Sequence, residues 1–177
     1  MSAYRFRTGK LQQISLGGIS LPETGSQYWR LFFAYNGSDT ISASRIQMFA
    51  ATLAEGGAAS TTDLATGRTG DVIVSSATRF TPGDGFPGNL VDVSSTSFWQ
   101  ATTTTNAWAG INFGEPTIIR GVSVSSRGGG FGQSQSPRAL RVDKSDDGVS
   151  WTTEWDQGDI GTWTTTAGQT KRYDIPS

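Results

Sequence analysis

Short apolar runs separated by turn residues dominate the hydrophobic pattern of this chain. Runs rich in Val, Ile and aromatic residues and bounded by Gly, Pro, Asn or Asp are typical of β-strands. The longest run, residues 28–35 (YWRLFFAY), predicts a strand buried on both faces. Further strands are predicted at residues 71–75, 108–113, 118–125, 139–143, 150–155 and 171–175 and around Trp163, which gives eight or nine short strands in all.

The segments between these runs predict turns and loops. Gly114-Glu115-Pro116 is predicted to separate two strands, and Asp146-Asp147-Gly148 is predicted to form a tight hairpin turn. Residues 81–89 hold two prolines and three glycines, which predicts an exposed loop. Residues 127–135 (RGGGFGQSQ) predict a flexible loop that carries one aromatic side chain.

Two segments leave alternatives open. In residues 42–53, Ile46, Phe49 and Leu53 have helical spacing, whereas Ile46, Met48 and Ala50 have strand spacing. Residues 1–26 contain two short strand candidates at 4–8 and 11–16, followed by turn residues. We interpret residues 1–26 as an N-terminal extension or assembly arm, and residues 27–177 as one β-sandwich domain.

Composition and charge exclude several classes of chemistry. The chain has no Cys and no His, which excludes disulfides, thiolate or imidazole metal sites and Ser-His-Asp catalysis. The net charge of −1 gives no basic surplus for binding nucleic acid. No apolar stretch approaches the ~20 residues that span a bilayer, and the N-terminus lacks a signal peptide. We therefore expect neither nucleic-acid binding nor membrane insertion.

Four segments carry a family resemblance: NLVDVSSTSFWQA (89–101), AWAGINFGEPTIIRGVSVSSR (107–127), SPRALRVDKSDDGVSWTT (136–153) and RYDI (172–175). With the first strong strand, they resemble the discoidin, or coagulation-factor C-terminal, family of the galactose-binding-like superfamily. The resemblance implies an all-β fold, an eight-stranded antiparallel jelly-roll sandwich. It also implies that the ambiguous segment is extended at residues 45–50. The segments YWRLFF (28–33) and ASRIQMFA (43–50) resemble versions of this domain in bacteriophage tail and fibre proteins.

The resemblance also implies roles for particular residues. Four pattern aromatics are expected in the core: Trp99, Trp108, Phe113 and Trp151. Ligand is expected at one end of the sandwich, in the loops at residues 79–88, 97–107 and 127–138. These loops offer the ligand-binding candidates Arg79, Phe80, Asp84, Phe86, Gln100, Asn106, Arg127, Phe131, Gln133 and Arg138.

No cofactor is required by the sequence, but the resemblance suggests a structural calcium ion. Asp92 matches the position that often helps to hold calcium in this family, and Ser94 and Ser97 are further candidate ligands. Val93 and Ser94 depart from the usual Gly and Asn or Asp at these positions, which removes a ligand and a permissive glycine. The alternative is a capped turn without an ion.

These features predict a binding module rather than an enzyme. Aromatic rings that pack on a sugar ring, beside Asp, Asn, Gln and Arg that bond its hydroxyls, suit a carbohydrate. We expect a homo-oligomeric bacteriophage virion protein that contacts other virion proteins and recognises a host-surface glycan. The alternative is a purely structural decoration or adaptor protein. Adjacent Asp146 and Asp147 point apart in one turn, which argues against a catalytic carboxylate pair.

Overall fold

The computed structural model describes residues 24–34, 40–75, 85–93, 97–103, 106–128, 131–164 and 168–176. Within these residues the regular secondary structure is almost entirely β-strand. There are ten strands: β1 (Ser26–Ala34), β2 (Ser42–Ala43), β3 (Arg45–Phe49), β4 (Val72–Val74), β5 (Trp99–Gln100), β6 (Ala107–Thr117), β7 (Gly121–Ser125), β8 (Ala139–Ser145), β9 (Thr152–Asp159) and β10 (Thr170–Asp174). The described helical elements are two 3-10 turns, Ala58–Ser60 and Pro87–Val91, and one α-helical turn, α1 (Gly132–Gln135).

The strands form two main antiparallel sheets. One sheet has five strands in the order β4-β6-β1-β8-β9, and the other has three in the order β10-β7-β3. Strands β2 and β5 form a separate short ladder. Eight strands thus make up the two main sheets, which confirms the predicted all-β antiparallel sandwich. The ambiguous segment is extended as β3, as the resemblance implied.

A single hydrophobic core joins the two sheets. Alternate residues of β1, Trp29, Leu31 and Phe33, are buried and belong to the same cluster as Met48 of β3 and Val122 of β7. Because successive side chains of a strand point to opposite faces, one face of each sheet is apolar and packs on the other. This arrangement places β1, the most apolar run of the sequence, in the middle of the larger sheet.

The outward face of β1 holds a chain of cation–π contacts. The Arg30 guanidinium lies 4.1 Å from the ring centre of Trp151 and 5.1 Å from that of Trp108. The Arg30 Nε donates to the Asp143 carboxylate at 2.9 Å. Opposite Arg30 on β6, a Cβ on Gly110 would lie 2.1 Å from the Trp29 carbonyl oxygen, so the close strand approach requires glycine.

This face corrects the prediction for two of the four pattern aromatics. Trp99 and Phe113 are in the core, as expected. Trp108 and Trp151, however, are half-buried and pack against each other with ring centres 6.0 Å apart. Register explains the difference, because Trp108 pairs with Phe32, and this pairing puts both side chains on the outer face.

The structure corrects two predicted strand boundaries. The predicted turn Gly114-Glu115-Pro116 is part of β6, where the pairing with β1 shifts between Ser26 and Tyr28. Gly114 has a φ of 76°, a left-handed conformation that suits this bulge. Trp163 does not lie in a strand, and its indole N–H donates to the Pro137 carbonyl in the core.

The structure also corrects two predicted loops. Residues 81–84 of the proline-rich segment lie outside the described residues, but residues 87–91 form a 3-10 turn. Of the described residues in the predicted loop, Gly85 and Gly88 are buried and Phe86 is exposed, so the loop is only partly exposed. Leu90 and Val91, which follow it in the same turn, are fully buried and anchor the turn in the core. Within residues 127–135, the last four form the α1 turn, which gives part of the predicted flexible loop regular structure.

Candidate functional site

The strand pairings bring the predicted ligand loops to one end of the sandwich, which we call the loop end. At this end β1 finishes at Ala34, which pairs with Ala139 at the start of β8. Its neighbour Phe33 pairs with Ala107 at the start of β6. Segments 97–103 and 126–138, which lead into β6 and β8, therefore reach the same end of the larger sheet.

Hydrogen bonds join the described part of the first predicted loop to the second. The Gly85 N–H donates to the Phe98 carbonyl at 3.0 Å, and the Asn89 side-chain amide donates to the same oxygen at 2.9 Å. Gly85 also forms an isolated bridge with Trp99. The end of the 79–88 loop is therefore fixed beside the 97–107 loop.

An arginine joins the second loop to the third. The Arg127 guanidinium lies 3.7 Å from the ring centre of Phe98 and 4.2 Å from that of Phe131. Its Nη1 donates to the Gln135 side-chain oxygen at 2.7 Å and approaches the Gln100 side-chain oxygen at 3.5 Å. We call these five residues the Arg127 cluster. Stacking between two rings fixes the plane of the guanidinium, and each such contact contributes about 0.5–2 kcal/mol.

The amides of the Arg127 cluster are themselves held in place. Gln100 is only 2 % exposed, and its amide nitrogen donates to the Thr40 hydroxyl. The Ser42 hydroxyl donates to the Gln135 oxygen at 3.4 Å. Gln100 stays a predicted ligand residue, and in this position its side-chain oxygen also approaches Arg127 from inside the protein.

Two of the described aromatic rings at the loop end are open to solvent. Phe131 is 43 % exposed and Phe86 is 48 % exposed, whereas Phe98 is buried behind Arg127. The Phe86 ring lies over Gly88, where an added Cβ would come within 3.3 Å of it. The exposed ring of Phe131 beside the fixed guanidinium of Arg127 supplies the apolar surface and the hydrogen-bond donors that a sugar ring requires.

The other predicted ligand residues divide into three groups. Asn106 is exposed just before β6 and has a φ of 57°, a left-handed conformation that Asn tolerates better than most residues. Arg138 lines a separate groove at the loop end, formed with residues of β9 and the segment after it. Arg79, Phe80, Asp84 and the Gln133 side chain lie outside the described residues.

The calcium candidates are only partly described. Asp92 follows the Pro87–Val91 turn and is half-buried, as is Ser97, whereas Ser94 lies outside the described residues. No three acidic side chains converge within the described ranges in a way that would hold a metal ion. Since calcium takes six to eight oxygen ligands, the two described candidates do not by themselves form a calcium site. Calcium binding stays a prediction.

The Asp146-Asp147 pair lies at the opposite end of the sandwich, where β8 ends. The Asp147 carboxylate accepts from the Ser150 N–H at 2.7 Å, the Val149 N–H at 2.8 Å and the Ser145 hydroxyl at 2.9 Å. These hydrogen bonds hold the pKa of Asp147 well below its ordinary value, so the side chain is an ionised turn anchor at neutral pH. An exposed carboxylate of this kind is unsuited to general acid catalysis.

Sequence reasoning missed Phe98 and Gln135 of the Arg127 cluster. A signal for Phe98 exists, because alternation along β5 and its flank puts Phe98 on the opposite side from the core residue Trp99. Gln135 gives no comparable signal, since only α1 turns its amide towards Arg127.

Comparison with known families supports the resemblance. The family model described as F5/8 type C domain matches residues 72–177, which is more than half of the chain. The match includes β4 to β10 and all members of the Arg127 cluster. Comparison with curated proteins and with solved structures finds no match. None of the described helical turns has the length and apolar character needed to cross a bilayer.

Proposed function

The chain belongs to the F5/8 type C domain family, and we propose that it is a non-catalytic module that binds a carbohydrate at the loop end. Domains of this family are generally binding modules for carbohydrates or other ligands. The observation that carries the proposal is the position of Arg127, fixed between Phe98 and the exposed ring of Phe131.

The Arg127 cluster suits sugar recognition for chemical reasons. An exposed aromatic ring packs against the C–H face of a pyranose, while a guanidinium donates to its hydroxyl oxygens. In this proposal Arg127 donates, Phe131 and Phe86 stack, and Gln100 and Gln135 hold Arg127 in place. Preorganisation matters because fixing a long side chain before binding reduces the entropy that binding costs.

Further contacts are proposed from the same loops. Asn106 is exposed where β6 begins, and its amide can donate to and accept from hydroxyls. Arg79, Phe80 and Asp84 belong to the connection whose end is bonded to the Phe98 carbonyl at Gly85. We include these three as candidate contacts on the basis of their place in the sequence.

We further propose that the protein is a homo-oligomeric component of a bacteriophage tail, fibre or capsid surface, and that its ligand is a glycan of the host. The basis is the resemblance of the opening strand segments to domains of phage fibre proteins. In this proposal residues 1–26 contact other virion proteins or neighbouring copies. The alternative is a structural decoration or adaptor protein, in which the loops have no glycan ligand.

A glycan array followed by calorimetry with the glycans that bind tests the sugar proposal. Phe131→Ala should weaken binding at least about fivefold, since an aromatic contact is worth about 1 kcal/mol or more. Leu53→Ala is the matched control, because Leu53 is 57 % exposed at the opposite end of the sandwich. Absence of binding to every glycan, or equal effects of the two variants, would contradict the proposal.

Assembly experiments separate the two functions. Removing residues 1–23 leaves β1 intact, since β1 begins at Ser26. If this truncation releases the protein from virions and leaves glycan binding unchanged, the N-terminal segment is the anchor and the loop end is the recognition site. If loop variants alter assembly alone, the protein is a decoration or adaptor.

A further inference from the structure

The orientation of the two side-chain amides in the Arg127 cluster is fixed by the chemistry of Arg127. A guanidinium has N–H donors and no acceptor, so each amide must turn its oxygen towards it. The Arg127 Nη1 lies 2.7 Å from the Gln135 oxygen and 3.5 Å from the Gln100 oxygen. Both oxygens are therefore committed to Arg127, and both amide nitrogens point elsewhere.

The amide nitrogen of Gln100 has a partner within the protein. It donates to the Thr40 hydroxyl, and the Gln100 side chain lies inside the protein, with only 2 % of the residue exposed. The oxygen and the nitrogen of this amide thus both contact protein groups.

The amide nitrogen of Gln135 differs in this respect. The Gln135 oxygen also accepts from the hydroxyl of Ser42 at 3.4 Å, and Ser42 is fully buried, so the oxygen faces the interior. The nitrogen is the other polar atom of the same planar amide and points away from that oxygen. Among the described residues none accepts a hydrogen bond from this nitrogen, and Gln135 is only half-buried. Gln135 therefore presents unused N–H donors at the loop end.

These donors lie close to the exposed ring of Phe131. The α1 turn joins the two residues, because the Gln135 backbone N–H donates to the Phe131 carbonyl at 3.0 Å. The Arg127 guanidinium contacts both side chains, with its centre 4.2 Å from the Phe131 ring centre and its Nη1 2.7 Å from the Gln135 oxygen. An apolar ring and a pair of unused donors are thus held by the same guanidinium.

We propose that Gln135 is a specificity-determining residue that selects sugars carrying an acetamido group. This inference rests on the proposed carbohydrate function and names the substrate class of the same site. The carbonyl of an acetamido group only accepts hydrogen bonds, so it matches the unused donors of Gln135. The methyl group beside that carbonyl supplies the apolar surface that covers the Phe131 ring.

Two other sugar substituents fit these donors less well. A hydroxyl is both donor and acceptor, and the amide oxygens of Gln100 and Gln135 already accept from Arg127. A hydroxyl that is buried at this point would leave its own donor unpaired, which costs binding free energy. A carboxylate accepts from an amide, but it has no methyl group to cover the Phe131 ring.

Calorimetry on the full chain with matched sugar pairs tests the substrate class. Triacetylchitotriose and cellotriose differ only in acetamido against hydroxyl groups, and so do N-acetyllactosamine and lactose. Methyl glucuronide and methyl glucoside form the carboxylate pair. We expect the acetamido member to bind about fivefold or more tightly than its counterpart in at least one of the first two pairs, the usual contribution of one hydrogen bond.

Gln135→Glu separates a direct contact from a role in holding Arg127. The Glu carboxylate still accepts from Arg127, but it has no donor and repels the carbonyl oxygen of the acetamido group. The affinity for the preferred acetamido sugar should therefore fall about tenfold or more, whereas the hydroxyl member should bind as before or more tightly. Gln157→Glu is the matched control, because it adds the same charge at an exposed position of β9 outside the Arg127 cluster. It should leave both affinities unchanged.

The outcomes distinguish this inference from the function on which it rests. Glycans that bind equally well with hydroxyl in place of acetamido groups, a preference for the carboxylate pair alone, or an unchanged affinity in Gln135→Glu would overturn the role of Gln135 and leave the carbohydrate proposal in place. An unchanged affinity in that variant would mean that Gln135 only positions Arg127. Absence of binding to every glycan on the array would overturn both proposals.

Discussion

Two arginines of this protein, Arg30 and Arg127, each lie between two aromatic rings, yet their surroundings differ. Arg30 lies on the central strand of the larger sheet, with Trp108 and Trp151 beside it. Its side chain is 14 % exposed and is bonded to Asp143. Arg127 follows β7 at the loop end, and one of its two rings, Phe131, is largely open to solvent.

The difference lies in what the aromatic contacts accomplish. On the sheet, Asp143 accepts from Arg30, Arg141 and Thr153, and Arg141 also stacks on Phe32 at 4.3 Å. This network covers an outer face with satisfied charges. At the loop end, the described hydrogen bonds of Arg127 go to amide oxygens, and the stacking leaves an exposed ring at its side. The same kind of cation–π contact thus stabilises the outer face of the sheet at Arg30, whereas at Arg127 it leaves an exposed aromatic ring beside a fixed guanidinium.

The largest effect that we expect comes from breaking the sheet network. Asp143→Asn leaves two guanidiniums on a half-buried face without their carboxylate, and this should lower the free energy of unfolding by about 3–5 kcal/mol. Urea unfolding measures the change. Asp71→Asn is the control, because its ion pair with Arg68 is exposed and should contribute less than about 1 kcal/mol. Equal losses in the two variants would show that Asp143 has no special structural role.

At the loop end we expect a smaller effect, which falls on ligand binding rather than on the stability of the fold. Arg127→Gln should weaken glycan binding about ten- to a hundredfold, the equivalent of about 1.5–3 kcal/mol from charge-assisted hydrogen bonds. Calorimetry with a glycan identified on the array measures this, and Arg30→Gln is the matched comparison. Arg30→Gln should lower stability and leave the affinity of the folded protein unchanged. Weaker binding in both variants would remove the distinction between the two arginines.

The smallest expected effect is a dependence of stability on pH. Burial raises the pKa of Asp143, but hydrogen bonds from Arg141 and Arg30 outweigh it, so the folded-state pKa lies below the ordinary value of 3.8. A lowered folded pKa means that the stabilisation is complete above 3.8 and is lost as pH falls through the folded value. The stability difference between the wild type and Asp143→Asn should therefore be constant at about pH 5–7 and shrink below 3.8. A difference that grows in acid would contradict this assignment.

Much of the fold could be predicted from local pattern. A nearly continuous apolar run marked β1, apolar alternation marked β7, and turn residues marked the hairpin at Asp146-Asp147-Gly148. The prediction that β1 is buried on both faces was wrong, because only alternate residues of β1 are buried. The prediction of a core position was right for Trp99 and wrong for Trp108, although the two are the same residue type and both lie near the start of a strand. Pairing of Trp108 with Phe32 is what turns it to the outer face, and a pairing between distant strands is absent from local pattern.

The candidate site was predicted less completely. The sequence identified Arg127 and Phe131, because an aromatic and an arginine stand out among the glycines of their loop. It missed Phe98. It also grouped Arg138 with Arg127 and Phe131 in one site, although Arg138 lines a different groove. The other residues of this groove come largely from β9 and the segment after it, which the chain reaches only after β8 and the hairpin that follows β8.

By itself, the sequence determined that this protein is built of β-sheets without disulfides, because short apolar runs and turn residues act locally and Cys is absent. It also determined which loops carry arginines and aromatic residues. Only the tertiary structure decided which arginine is bonded to a carboxylate on the sheet and which lies beside an exposed aromatic ring at the loop end. The physical reason is that stacking, charge compensation and exposure depend on groups from distant segments, and these meet only when the two sheets pack.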